Sequence, residues 1–163
     1  MTTPRILVAG IGNIFLGDDG FGPEVIRHVP NRLAGPAIRL TDYGIRGMHL
    51  AYDLLGDWSA LVLVDAVPDR GAPGTLHVFE VEHETLSARS GLDAHAMDPA
   101  AVFAGLTALG GSAPRTVVVG CEVAVVEDGI GLSAPVAAAV PAAARMVEDV
   151  LAVLRAQPAA EGV

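Results

Sequence analysis

The sequence predicts an α/β fold, a three-layer α/β/α sandwich around a mostly parallel, mixed sheet of about five strands. Three observations predict it. Arg5–Gly10, Ala60–Asp65 and Thr116–Glu122 are runs of Val, Leu, Ile and Ala of the length and character of strands buried on both faces. Stretches with helical spacing of apolar residues alternate with them, which is the order of a parallel sheet covered by helices on both sides. The first strand runs into Gly10–Gly22 (GIGNIFLGDDGFG), a glycine-rich strand-to-helix loop that carries two adjacent carboxylates. In an open α/β sheet, ligands bind in that kind of loop.

The elements follow in order. Pro23–Val29 predicts a helix with proline in its first turn, Val25, Ile26 and Val29 inward, and an end at Pro30. Ile38–Asp42 alternates as a second strand, and Gly44–Gly47 is a loop. Met48–Leu55 is a helix with Leu50, Ala51, Leu54 and Leu55 facing inward. Ala60–Asp65 is the central strand. The stretch 66–74 is too short for a crossover helix, so Thr75–Glu80 should run antiparallel at or near an edge. Val81–Ala94 is polar and irregular. Asp98–Pro99 starts a helix as cap and first-turn proline, with Val102, Phe103, Leu106 and Leu109 buried and Gly110–Gly111 ending it. Thr116–Glu122 is the last core strand. Ser133–Gln157 is helical, with Ala143, Val147, Val150, Leu151 and Leu154 on one face and Pro141 expected to kink or divide it. Residues 1–157 are expected as a single domain, and 158–163 as a frayed tail.

Composition removes several function classes. The chain has 163 residues and a net charge of -9, which opposes binding to nucleic acid and to anionic membranes. No run is long enough to span a bilayer, and the start does not have the form of a signal peptide. Aromatics make up 4%, too few for stacking platforms. Cys121 is the single cysteine, so no internal disulfide forms, which fits a reducing cytoplasm. The default oligomeric state is an acidic monomer.

The glycine-rich loop is not a nucleotide site. Gly10 and Gly12 fit G-x-G-x-x-G, but Phe15 stands at the third glycine position, and Asp18 and Asp19 would repel a pyrophosphate. The same carboxylates attract a cation. For Asp18 the plainer role of helix cap is favoured, beside an Asp19–Gly20 turn. Asp19 is different, because other acids lie at the same predicted edge: Asp42 ends the second strand, Asp65 the third and Glu122 the last. Carboxyl ends of parallel strands share one sheet edge, where several acids make a negative cleft that a cation or basic ligand would offset. Among the histidines, His28, His49, His77 and His83 are expected to be solvated or structural. His95 stands three residues before the Asp98 cap of a helix leading into the last core strand. Cys121 is expected as a small core residue and Ser133 as a helix cap.

These residues carry a resemblance. Gly10–Gly22, Leu63–Ala66 (LVDA), the stretch around His95, and Val119–Glu122 (VGCE) followed by Gly131–Pro135 (GLSAP) occur in that order along nearly the whole chain. Together they resemble the hydrogenase maturation proteases, which process the large subunit of nickel–iron hydrogenases. The resemblance implies that Asp19, Asp65 and His95 contact a metal. Many members have Glu at the first place, so Asp19 is shorter by one methylene. The Gly44–Gly47 loop also departs from the small, Thr-containing loop of better-known members, which makes Arg46 a candidate subgroup contact.

The resemblance further implies that the nickel is supplied by the large-subunit precursor, and that the protease removes a short C-terminal extension from it. Asp19 and Asp65 are then the candidate catalytic residues, through metal- or carboxylate-assisted hydrolysis. Asp18, Asp42, Arg46 and Glu122 are candidates for substrate or support roles. No nucleotide cofactor is implied. The same metal-facing residues would also serve a non-proteolytic, nickel-sensing assembly factor that binds the precursor and leaves it uncut.

Overall fold

The computed structural model describes residues 3–83 and 98–157. Five strands, β1 (Ile6–Ile11), β2 (Ile38–Gly44), β3 (Ala60–Val67), β4 (Leu76–Glu80) and β5 (Arg115–Glu122), form one sheet in the order β2-β1-β3-β5-β4. β1 pairs in parallel with β2 and β3, and β3 in parallel with β5, while β4 runs antiparallel to β5 at the edge. The antiparallel edge strand follows from its short connection: residues 68–75 cannot cross the sheet as a helix.

Among the described residues, four α-helices cover the two faces: α1 (Phe21–His28), α2 (Gly47–Asp53), α3 (Pro99–Ala108) and α4 (Ala134–Ala156). Alternate strand residues separate into two cores. Ile6, Val8, Val62, Val64, Val119 and Cys121 pack with Val25 of α1 and with Val140, Val147 and Leu151 of α4. Leu7, Ala9, Leu61, Leu63 and Val118 pack with Leu50 and Ala51 of α2 and with Phe103 and Leu106 of α3. Burial on both faces explains why the strand sequences show continuous apolar runs rather than alternation.

Three local readings change. The first helix begins at Phe21, not Pro23, because a short 3-10 turn, Gly17–Gly20, leads directly into it. Leu55 faces solvent rather than the core, since α2 ends at Asp53. Pro141 does not divide the last helix, which is assigned as one element of 23 residues. Its missing N–H leaves the carbonyl of Ala137 without a helical partner, but both residues are exposed and water can satisfy that oxygen.

The glycine-rich loop is built for close packing. Gly22, in the first turn of α1, lies against the backbone of Ile11 and Val64, so α1 crosses directly over β1 and β3. Gly12 has φ +138°, and a methyl group there would overlap the carbonyl oxygen of Asp19. These glycines bring the Asp18–Asp19 turn down onto the carboxyl end of β1.

Candidate active site at the carboxyl edge of the sheet

Asp19 and Asp65 come together at this edge. Asp65 follows the buried run of β3 and is half-buried. Burial, reinforced by the negative charges of Asp19 and Asp98, pushes its carboxyl well above the usual carboxylate range. Asp19 is held from below, its Oδ2 accepting the N–H of Asn13 at 2.7 Å. Asp98 caps α3, accepting the N–H of Ala100 at 2.9 Å. The sequence reading saw the cap but missed its charge at this edge. The available signal was its position, ahead of a helix that leads into β5.

His95 and the residues 158–163 lie outside the described residues. Among the described residues, no three His, Cys, Asp or Glu side chains gather as a metal cluster. The donors in place are carboxylate oxygens from the Gly17–Gly20 turn and the end of β3, which suit a divalent cation and leave it further positions. A cation would also relieve the repulsion that raises Asp65. Without one, a carboxyl shifted upward holds a proton more readily than an ordinary carboxylate does.

Asp18 is not the helix cap that the sequence suggested. The N-cap of α1 is Gly20, which makes no side-chain cap. Asp18 is fully buried and turns instead to the segment after β5. Its Oδ2 accepts the N–H groups of Ala124 and Val125 and the hydroxyl of Ser133, each at 2.8 Å, and its Oδ1 accepts the N–H of Ser133 at 2.7 Å. Ser133 precedes α4, and its hydroxyl likewise serves Asp18 instead of capping the helix. Burial pushes the Asp18 carboxyl up, but the hydrogen bonds from Val125, Ser133 and Ala124 outweigh it and hold it below its ordinary value of 3.8.

A depressed carboxyl contributes stability that is present above its unfolded value and lost as pH falls through the lower folded value. Asp18→Asn should therefore cost about 3 kcal/mol at neutral pH. The melting-temperature gap to the wild type should narrow below pH 3.8. Calorimetry between acid and neutral pH checks this.

Arg46 and Glu122 hydrogen-bond to groups other than Asp19 and Asp65. The guanidinium of Arg46 folds back onto its own loop, donating to the carbonyls of Asp42 at 2.7 Å and Tyr43 at 3.2 Å. Asp42 is half-buried beside it at the end of β2. Glu122, 3% exposed, faces the β3–β4 connection. It pairs with His77 at 2.7 Å and accepts the N–H of Arg70 at 2.8 Å and of Ala72 at 3.3 Å. The hydrogen bond from His77, with those of the two amides, holds its carboxyl low. Glu122 is thus a strut for the edge strand, and His77 is structural, as expected. Cys121 is buried in the core, and burial raises its thiol to about 11, far from the value of an activated nucleophile.

The acid-bearing turn has an apolar rim. Phe15 is 61% exposed and Ile130 77% exposed, with Val125 and Val126 beside them. The two loops are joined through Gly17 N–H to Gly129 O and Gly129 N–H to Phe15 O, both at 2.9 Å. A groove of about 470 Å³ opens next to the turn, lined by Gly17 and Gly20, by Ile14 and Ile130, and by α1 and α4. Among the described residues, no helix is long and apolar enough to cross a membrane.

Comparison with known proteins gives the family. The family model described as hydrogenase maturation protease matches residues 23–150. The hydrogenase 2 maturation protease of Escherichia coli is 31% identical over 153 residues, covering 93% of this chain and 91% of that protein. The coenzyme F420 hydrogenase subunit delta of Methanothermobacter thermautotrophicus is 32% identical, covering 91% and 96%. The solved structure of the hydrogenase maturating endopeptidase HybD from Escherichia coli superimposes with a TM-score of 0.77 at 27% identity, over 91% of this chain and 93% of that one. With the sheet and these relatives in agreement, the chain belongs to the hydrogenase maturation protease family, whose members are endopeptidases that process the large subunit of nickel–iron hydrogenases.

Proposed function

We propose that this protein removes a short C-terminal extension from a nickel-loaded large-subunit precursor, with Asp19 and Asp65 facing the scissile region and His95 completing the metal contacts. The observation that carries the reading is Asp65, half-buried at the carboxyl edge and repelled by Asp19 and Asp98. Among the described residues, no cationic side chain offsets the Asp65 carboxylate, and a metal brought by the substrate would do so. The ion would polarise the carbonyl or a water, and the Asp65 carboxylate, relieved of that repulsion, would accept the proton. The exposed apolar rim beside the turn supports a polypeptide partner rather than a small charged ligand. Nickel is the substrate's metal in this reading and no nucleotide takes part. The protein acts as a cytoplasmic monomer, a setting that its single buried cysteine suits.

The test is to incubate the protein with nickel-loaded and nickel-free precursor and to weigh the product by mass spectrometry. Loss of the extension should occur only with nickel, and His95→Ala should abolish it. A precursor that binds with nickel but is never cut would establish the assembly-factor role instead.

A further inference from the structure

We propose that Asp18 is a positioning residue for Asp19: a buried strut that fixes the turn carrying Asp19 against the segment after β5. The inference rests on the reading of Asp19 as a functional carboxylate. The turn Gly17–Gly20 has four residues. A 3-10 turn that short has little rigidity of its own. Its geometry is imposed from outside by six contacts. Gly17 N–H donates to Gly129 O at 2.9 Å, and Asp18 N–H donates to Val125 O at 2.8 Å. The other four are made by the Asp18 carboxylate with Ala124, Val125 and Ser133, residues more than a hundred positions away in the chain.

The chemistry of the strut requires a carboxylate. Its backbone partners are all N–H donors: Ala124 and Val125 on Oδ2, Ser133 on Oδ1. An asparagine offers one acceptor oxygen and one NH2. In one orientation the NH2 faces the Ser133 N–H, and in the other it faces the N–H groups of Ala124 and Val125. Either way donor opposes donor, and the turn must shift. Asp19 is the next residue, and its position relative to β1 is read out by the Asn13 N–H, which donates to it at 2.7 Å. Two adjacent aspartates therefore have separate tasks: one holds the turn, the other faces the edge.

The experiment compares the wild type with Asp18→Asn, Ser133→Ala and Asp19→Asn, assayed well below each melting temperature. Asp18→Asn should lower kcat for nickel-loaded precursor about 100-fold, the scale expected for a misplaced reacting group. KM should stay within about threefold of wild type. In a ¹⁵N-labelled sample the Asn13 amide resonance should shift as its bond to Asp19 changes. Ser133→Ala, which removes one bond of the strut, should shift the same resonance in the same direction with about a fivefold loss of kcat. A purely structural role would lower the melting temperature and leave kcat and the Asn13 resonance unchanged, and that result overturns the proposal. Should Asp18→Asn fail to fold, an unmoved Asn13 resonance in Ser133→Ala overturns it equally. If Asp19→Asn processes like wild type, the functional reading of Asp19 fails, while the Asn13 resonance still decides whether Asp18 positions the turn.

Discussion

Replacing Asp65 by Asn should stop processing and yet stabilise the fold. The loss of rate is expected to be about a thousandfold or more, because the substitution removes a charge at the metal-facing edge and a proton carrier together. The gain in stability has a separate cause. The folded-state pKa of Asp65 lies well above its ordinary value of 3.8, through burial and the charges of Asp19 and Asp98. Ionised Asp65 therefore opposes folding at pH values above its folded pKa. That penalty shrinks as pH falls through the raised value and is gone below the unfolded one. Asparagine is neutral throughout. In chelator at pH 7 and above, Asp65→Asn should melt about 2–4 °C higher than wild type, corresponding to about 1 kcal/mol for a chain of this size. At pH 3 the two proteins should melt together. A lower melting temperature for the variant at every pH would mean that Asp65 is a structural acid rather than a strained functional one.

The second large effect concerns the loop that brings Asp19 to the edge. Gly22→Ala would place a methyl group against the carbonyl oxygens of Ile11 and Val64, backbone atoms of two central strands. A flexible side chain could move aside, but strand backbone cannot without breaking the β1–β3 ladder. The expected cost is about 3–5 kcal/mol, with a fall in melting temperature of about 10 °C or more. Gly12→Ala should be comparably severe, because it adds strain at positive φ to an overlap with Asp19 O. Urea unfolding of the two variants checks both. A change below about 1 kcal/mol in Gly22→Ala would show that α1 can lift off the sheet.

The layers of this fold were legible because its strands are buried on both faces. Ile6–Ala9, Leu61–Val64 and Val117–Val119 carry apolar side chains to both cores, which leaves no ambiguity between strand and loop. The antiparallel edge strand was legible from the shortness of the connection before β4. Asp65 could be placed because it follows a central strand in a parallel sheet, where the strand end defines the edge. What could not be read were the partners of side chains. Asp18 and Glu122 are acids in comparable contexts, near a strand end and next to glycine-containing loops. Their roles depend on amides and a histidine that sequence distance hides: Ala124, Val125 and Ser133 for Asp18, and Arg70, Ala72 and His77 for Glu122. Arg46 likewise donates to carbonyls of its own loop, contacts that no spacing rule gives, while it stays exposed to solvent. Pro141 is tolerated inside α4 because its turn faces water, a matter of orientation rather than of residue type.

The double variant Asp19→Asn with Asp65→Asn tests the central claim most directly. Wild-type protein and the variant are each incubated with the nickel-loaded precursor, and the C-terminus of the product is read by mass spectrometry. The account predicts complete loss of the extension with the wild type and an intact precursor with the variant, whose fold is retained. Processing by the folded variant at the wild-type rate would contradict it, and would move the chemistry away from the carboxyl edge of the sheet.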